Sequence, residues 1–457
     1  MRVFQRLQVK RSLHEQVNVQ RLTFIAIWTA LLSAPVIILF RLIALLSIKY
    51  PFWDEWEFVP IIHKYLSHTL TISDLWAQHN EHRIFFPRII MLLLATLTHW
   101  NFRYEVMSSL LFALGSTVLI LLVLRRTFSR LHLAYYALLT IPITWLFLSP
   151  GQWENWLWGW QLEWFLSVLG LVTVVWSLTA WPKRFNQSLG FPLAIAAAII
   201  TNYSLGNGML VWVSGAIILL CRRATMRKVL VWCAAGAAAV GFYYINYHDP
   251  DPAGKLLLLK QPINYVQYFF GYLGGTLELG HLSTAIAFGI LFLTLFLTST
   301  IYIFMTARTK IAEIAPWLGL GAYGILSAGI AGIARLDLGV IQSVSSRYTT
   351  ISVLFVISTF VISFYAFGKL KYDFTKYRQG LNVAGIGVVI VFGLLFGAAY
   401  MKGIHNMREL DDNLAGTENC IHSAMDATPN CLMKAYPNKS IVWERIVYLR
   451  SIQWGSF

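Results

Sequence analysis

Charge is scarce in this chain. Of 457 residues only 12% are Asp, Glu, Lys or Arg, against about 25% in ordinary soluble domains. Mean hydropathy is +0.60 and 57% of the residues are hydrophobic. Both values argue against a large soluble α-protein. Alternating polar and apolar runs are missing too, which excludes a closed β-barrel. Continuous apolar runs recur instead along most of the length, and several reach the roughly 20 residues that span a bilayer. The chain reads as an all-α polytopic membrane protein, with the lipid bilayer as its first partner.

Acidic residues are the rarer sign, 21 against 36 basic, for a formal net charge of +15. Such an excess raises nucleic acid as a partner. The basic residues, however, sit in short clusters between apolar runs, as the positive-inside bias requires, and no basic stripe or reading motif is present. Nucleic acid is therefore not expected. Cysteine is sparse. Cys221 and Cys233 fall in or beside spans, where packing is their expected role. Cys420 and Cys431 lie in the polar tail, spaced for neither a zinc site nor a redox pair. A disulfide is expected there if the tail is extracytoplasmic. No short apolar region with a small-residue cleavage site follows Arg2, Arg6, Lys10, Arg11 and Arg21, so an uncleaved signal anchor is expected. No internal repeat is visible, which weighs against a transporter built from inverted repeats.

About eleven spans can be placed, at roughly 22–47, 103–124, 132–149, 164–180, 188–202, 207–220, 229–246, 283–306, 314–333, 348–368 and 381–401. Residues 84–99 form an apolar helix too short to cross, expected to lie in the interface. With eleven spans every basic cluster falls on one side: Arg125, Arg126 and Arg130; Lys183 and Arg184; Arg222, Arg223, Arg227 and Lys228; Arg308 and Lys310; Lys369, Lys371, Lys376 and Arg378. That side is expected to be the cytoplasm, beneath an inner (plasma) membrane. It gives a cytoplasmic N-terminus (1–21), a transmembrane domain (22–401) and an extracytoplasmic tail (402–457). The loops that hold acidic, His or Trp residues then all face outward: 48–88, 150–163, 202–208, 247–281 and 334–347.

Four outer segments carry candidate chemistry. In FWDEWEF, Asp54 and Glu55 sit among bulky aromatics just beyond the first span. Partial desolvation makes them candidate bases; an N-cap with an interfacial aromatic belt is the plainer alternative. In QHNEHRIFFPR, His79, Asn80, Glu81 and His82 are candidates to bind a polar substrate, and Arg83 and Arg88 to meet phosphate. No HExxH pattern is present, so hydrogen bonding within a polar cavity is favoured over a metal site, with a divalent cation left open. Trp153, Trp156, Trp160 and Trp164 fall at helical spacing on one face. With Gln152, Glu154, Asn155, Gln161 and Glu163 they suit either a sugar-lined cavity or an interfacial belt. Last, Arg335, Arg347 and Tyr348 stand at the mouths of two spans. Arg347, at the start of a helix, suits a phosphate or an ion pair with Asp337, Asp54, Glu55 or Glu81.

Roughly the first 130 residues resemble the GT-C superfamily of integral membrane glycosyltransferases. The resemblance rests on a first span followed at once by Asp54-Glu55, a long outer loop whose second helix is PRIIMLLLATLTHW, and RRTFSR after the second span. Protein O-mannosyltransferases and aminoarabinose transferases show this order. Bacterial and phage serotype-converting glucosyltransferases are similar in size and span number. The chain departs from those relatives where they carry a proline-rich PPL-like stretch, having HNEHRIFFPR instead.

The resemblance implies a GT-C-like bundle of about eleven helices with a long first extracytoplasmic loop (48–88) bearing juxtamembrane helices. It also implies a polyprenyl-phosphate sugar donor and a glycan or lipid acceptor of the cell envelope, as in O-antigen modification. The expected reaction is inverting, with Asp54, seconded by Glu55, as general base. Arg347, then Arg83, Arg88 and Arg335, would hold the donor phosphate. Glu81, His79, His82, Asn80, Trp153, Glu154, Trp160, Gln161 and Tyr348 would line the substrate site. A donor synthase and a flippase are the expected partners. A transporter or flippase for a lipid-linked or anionic solute, and a non-catalytic assembly subunit, are the competing readings.

Overall fold

In the computed structural model of the chain, residues 2–129, 131–179, 189–250, 257–374, 377–423 and 430–455 are described. Arg130, Lys183, Arg184 and Lys376 lie outside them, as do the side chains of residues 2–18 and Arg378. Among the described residues the helices of the bundle include α1 (Arg2–Leu46), α2 (Phe102–Thr127), α3 (Leu133–Phe147), α4 (Leu162–Thr179), α5 (Phe191–Asn202), α6 (Val211–Cys221), α7 (Met226–Tyr243), α8 (Leu282–Thr306), α9 (Ile311–Arg335), α10 (Ser346–Asp373) and α11 (Arg378–Leu414), with the helix Pro262–Gly274 packed among them. Helices α1 to α11 match the eleven expected segments. Eight described stretches are long and apolar enough to cross a membrane: Val19–Leu46, Phe102–Thr127, Leu133–Leu157, Gly159–Thr179, Leu282–Thr306, Arg308–Leu338, Ser346–Asp373 and Gln379–Ser423. The protein is therefore an all-α, multi-pass membrane chain. The remaining three helices, α5 to α7, are shorter or begin with Arg227 and Lys228.

Successive helices run between two unlike ends. At one end Trp317 Nε1 donates to Thr127 Oγ1 (2.9 Å), Arg222 donates to the Ala312 carbonyl (3.4 Å), and the hydroxyls of Tyr365 and Tyr302 reach Glu313 and Asp373 (both 2.8 Å). The described basic clusters gather there. Asp54, Glu55, His79, Glu81, His82, Glu154 and Trp160 gather at the opposite end. Helix α5 has 12 residues, or about 18 Å at 1.5 Å per residue, well short of the ~30 Å hydrocarbon core. The turn after it is consequently sunk into the bundle, with Tyr203, Ser204 and Leu205 all buried.

The helix Phe85–Thr98 follows the first loop. It exposes Ile89, Leu93 and Leu97 on one stripe and buries Met91, Leu92 and Ala95 on the other. That pattern suits a helix lying along an interface.

One expectation needs correction. The tryptophans at 153–164 do not share one helical face. The segment is a 3-10 turn (Pro150–Gln152), a short helix (Trp153–Leu157), a second 3-10 turn (Gly159–Gln161), and only then α4. The break falls at Trp158, which is extended (φ −112°, ψ 120°), and at Gly159 beside it a Cβ would come within 2.5 Å of Glu105 and 2.8 Å of Glu55. The expected tail, 402–457, is largely helical where it is described. Helix α11 continues to Leu414, and the residues after it fold against the first loop. Ile421, Leu432, Val442, Ile446 and Leu449 share a hydrophobic core with Trp56, Phe58, Ile62 and Trp100. A Cys420–Cys431 disulfide, a Glu57–Arg445 ion pair (3.1 Å) and a Tyr436–Glu57 hydrogen bond (2.8 Å) fasten this cap.

Candidate functional site

The first loop opens with a 3-10 turn, Trp53–Phe58. Trp53 takes φ +49°, a left-handed conformation that is costly for a bulky side chain. Its N–H is held by the Ala435 carbonyl of the cap at 2.8 Å. Two residues on, Glu55 is buried and accepts the N–H groups of Phe52 (2.7 Å) and Trp160 (2.9 Å). Glu105 of α2 comes up beside it at Gly159 and accepts from Trp100 Nε1 (3.0 Å). Burial first, and then Glu105, push the Glu55 carboxyl well above the usual range. Two carboxyls sharing a dry site do not both ionise. Glu55 is therefore an anchor that ties the first loop to the Trp segment. Asp54, partly exposed, stands with Oδ1 3.7 Å from His79 Nε2.

The second half of the loop is a tight hairpin. His79 and His82 exchange backbone hydrogen bonds (both 2.8 Å) across a turn in which Asn80 has φ +48°. The His79 ring packs on Trp160 at 5.0 Å. Glu81 pairs with Arg335 at 2.6 Å, joining the hairpin to the end of α9. The Nδ1 edge of His82 is sealed against the sunken turn: a Cβ on Gly206 would lie 2.3 Å from it. Burial, then Arg335, hold the His82 pKa down at about 3.

That depression has a pH consequence. Below about pH 6.5 the unfolded chain gains a proton at this site, whereas folded His82 stays neutral down to about 3. Folded stability contributed here is complete above about 6.5 and falls with pH below it. The thermal midpoint of the purified protein should drop between about pH 7 and 5, and His82→Gln should flatten the drop. Equal drops in both proteins would assign the effect elsewhere.

Arg83 and Arg88, expected to meet phosphate, are engaged by the protein's own backbone. Both are buried. Arg83 donates to the carbonyls of Tyr243 (2.7 Å), Ile245 (2.7 Å) and Trp76 (2.9 Å) and lies over the Trp76 ring. Arg88 donates to Leu75 (3.1 Å) and to Ala77. The cause is local. The ends of α7 and of the short helix Ile72–Trp76 leave carbonyls unpaired, and a guanidinium has the donors to satisfy them.

Arg347 is placed differently. It lies in the first turn of α10, its Nε 3.7 Å from Glu154 and 3.5 Å from Ser345 Oγ. Its terminal nitrogens make no hydrogen bond among the described residues. Glu154 is already engaged by the hydroxyls of Ser345 (3.1 Å) and Ser346 (2.6 Å), and Asp337 is exposed. Tyr348 stacks on Tyr272 at 5.0 Å. Trp160 and Gln161 are buried, whereas Trp153 is half-buried.

The structure thus brings Asp54, His79, Glu81, His82, Arg335 and Arg347 together. His82 is within electrostatic reach of Asp54, His79, Arg335 and Arg347. Glu163, named above with the Trp segment, joins this end of the bundle, as does Glu105, which was not singled out from the sequence. The signal for both was a carboxyl at the start of an apolar span, a costly placement. No cluster of three His, Cys, Asp or Glu that could hold a metal occurs among the described residues.

Fold and site define a polytopic helical membrane protein with a cluster of charged side chains at one end of its bundle. No family model and no curated protein matches the chain. Among solved structures, the crystal structure of the Archaeoglobus fulgidus oligosaccharyltransferase, complexed with Zn and sulfate, is similar over 87% of this chain with a TM-score of 0.41 and 11% identity. This chain covers 56% of that one's length. A likeness at that level leaves the activity to be read from the chain's own residues.

Proposed function

We propose that this protein is an integral membrane glycosyltransferase that moves a sugar from a polyprenyl-phosphate donor to a glycan or lipid acceptor of the cell envelope. The observation that carries the proposal is the His79–His82 hairpin, which sets Asp54 3.7 Å from His79 and Glu81 2.6 Å from Arg335, with Arg347 within electrostatic reach of its His82. Asp54 is a partly exposed carboxylate; Arg347 is a cation with unused donors. They come from opposite parts of the chain and stand at the same end of the bundle, where a lipid headgroup is accessible.

Asp54 takes the proton of an acceptor hydroxyl. The oxygen attacks the anomeric carbon, the bond from that carbon to the phosphate oxygen breaks, and the lipid phosphate leaves with the electron pair. Arg347, backed by Arg335, meets the charge that develops on it. Attack opposite the leaving group inverts the anomeric centre. Glu55 holds the base's turn in place. Basic residues at the far end and a disulfide at the site end support an extracytoplasmic site with the N-terminus inside. Nucleotide sugars are absent there, which favours a lipid-linked donor.

The test is the purified protein in proteoliposomes with a synthetic polyprenyl-phosphate hexose and envelope glycan. Release of polyprenyl phosphate in step with acceptor growth is expected. Movement of the donor between leaflets with no transfer would make the protein a flippase and overturn the proposal.

A further inference from the structure

The end of the bundle opposite Asp54 holds a cavity of about 260 Å³ where α4, α5, α6 and α7 come together. Leu178, Phe191 and Leu219 make its apolar side, and the two leucines are buried. Its polar side is the turn from α6 into α7, with Arg222, Arg223 and Lys228. Helix α6 stops at Cys221 and α7 starts at Met226. Arg223 takes a left-handed conformation between them (φ +51°). One tight turn thus sets three basic side chains on the rim of an apolar hollow.

That positive charge has no acidic counterpart in the cavity, whose lining contains neither Asp nor Glu. Among the described residues at this end, Glu313 is taken by Lys310 (2.7 Å) and the Tyr365 hydroxyl (2.8 Å). Asp373 is taken by Lys369 and the Tyr302 hydroxyl. Arg222 donates to the Ala312 carbonyl and Lys228 lies over the Phe191 ring at 5.8 Å. Neither contact neutralises a charge. A cleft lined by one sign of charge against low-dielectric walls focuses the field and concentrates the opposite ion.

Size and surroundings narrow the anion. The volume falls below the roughly 300–1,000 Å³ of ordinary small-molecule sites, so the cavity suits a headgroup whose remainder lies outside. Beside it, Leu193 of α5, Leu220 of α6 and Leu230 of α7 are exposed, as side chains facing lipid are. A molecule with an anionic head and apolar chains meets both surfaces at once, whereas free phosphate meets only the first.

We propose that this cavity binds the phosphate headgroup of an anionic glycerophospholipid through Arg222, Arg223 and Lys228, with the acyl chains lying along α5 to α7. Basic pockets between membrane helices are suited to such heads. The site is independent of the reaction proposed at the other end.

The experiment counts lipids bound to the purified full chain by native mass spectrometry, in titrations with short-chain phosphatidylglycerol, phosphatidylcholine and inorganic phosphate. The wild type is compared with Arg223→Gln/Lys228→Gln, which leaves the Arg222 hydrogen bond in place. The control is Arg308→Gln/Lys371→Gln, which removes equal charge from the same end; those side chains lie over Phe304 and Phe367, outside the cavity.

One saturable phosphatidylglycerol should bind the wild type and the control alike. The cavity variant should bind it about ten- to thirtyfold more weakly, as two basic groups beside an anionic head require. The single Lys228→Gln should lose about fivefold, and gives the reading if the double variant folds poorly. Equal losses in the cavity variant and the control would assign the effect to the charge of the whole end and overturn the site. Phosphatidylcholine binding as tightly as phosphatidylglycerol, or inorganic phosphate displacing the lipid, would overturn it too.

Discussion

Asp54→Asn is expected to lower the turnover of sugar transfer by about 10²–10⁴-fold, the usual contribution of a positioned general base. The substitution is nearly isosteric. What holds the turn in place is untouched by it: the Trp53 N–H on Ala435, and Glu55 on Phe52 and Trp160. The variant should therefore insert, purify and bind donor like the wild type, with the loss confined to turnover. Initial rates in proteoliposomes, with donor binding measured in parallel, separate these effects. Turnover within a fewfold of the wild type would remove Asp54 from the base role.

Arg347→Ala should act on the other half of the reaction. Charge-assisted hydrogen bonds contribute roughly 1.5–3 kcal/mol, so the catalytic efficiency should fall by about 10–100-fold. Part of the loss should appear as weaker donor binding, because the lipid phosphate is already anionic before the bond breaks. The latch between the Trp segment and α10 does not depend on the guanidinium. Glu154 remains bonded to Ser345 and Ser346, and Asn155 to Thr350. Arg347→Lys should recover part of the loss, since it keeps a charge but not the planar fork. Unaltered donor binding and turnover in Arg347→Ala would leave the phosphate without its assigned partner.

The bundle was legible in the sequence because a membrane helix must satisfy its backbone internally and face lipid with apolar side chains. Both demands are local, so hydropathy and basic clusters reveal them. The site was legible only where cost betrayed it. Asp54 stands out as an acid among aromatics. Arg335 and Arg347 stand out as arginines at the end of the bundle where basic residues are scarce. The rest depended on partners far along the chain. Arg83 looks like a phosphate ligand until the end of α7, 160 residues on, presents its carbonyls. The tryptophans keep helical spacing, yet the backbone turns extended at Trp158, and Gly159 beside it leaves the space that Glu55 and Glu105 fill. Periodicity cannot register either effect.

The C-terminal cap has a consequence for biosynthesis. Glu57 and its partner Tyr436 are 379 residues apart. At about 5–20 residues per second, the first loop leaves the ribosome on the order of 20–75 s before the segment that completes its core. Through that interval Asp54 is already synthesised, but Trp53 lacks its Ala435 partner and the apolar side chains at 56–62 lack their cover. A chain arrested before its last helices would carry the base without the support that aims it. The order of synthesis thus leaves the first loop without its cover until the segment around Ala435 has been made.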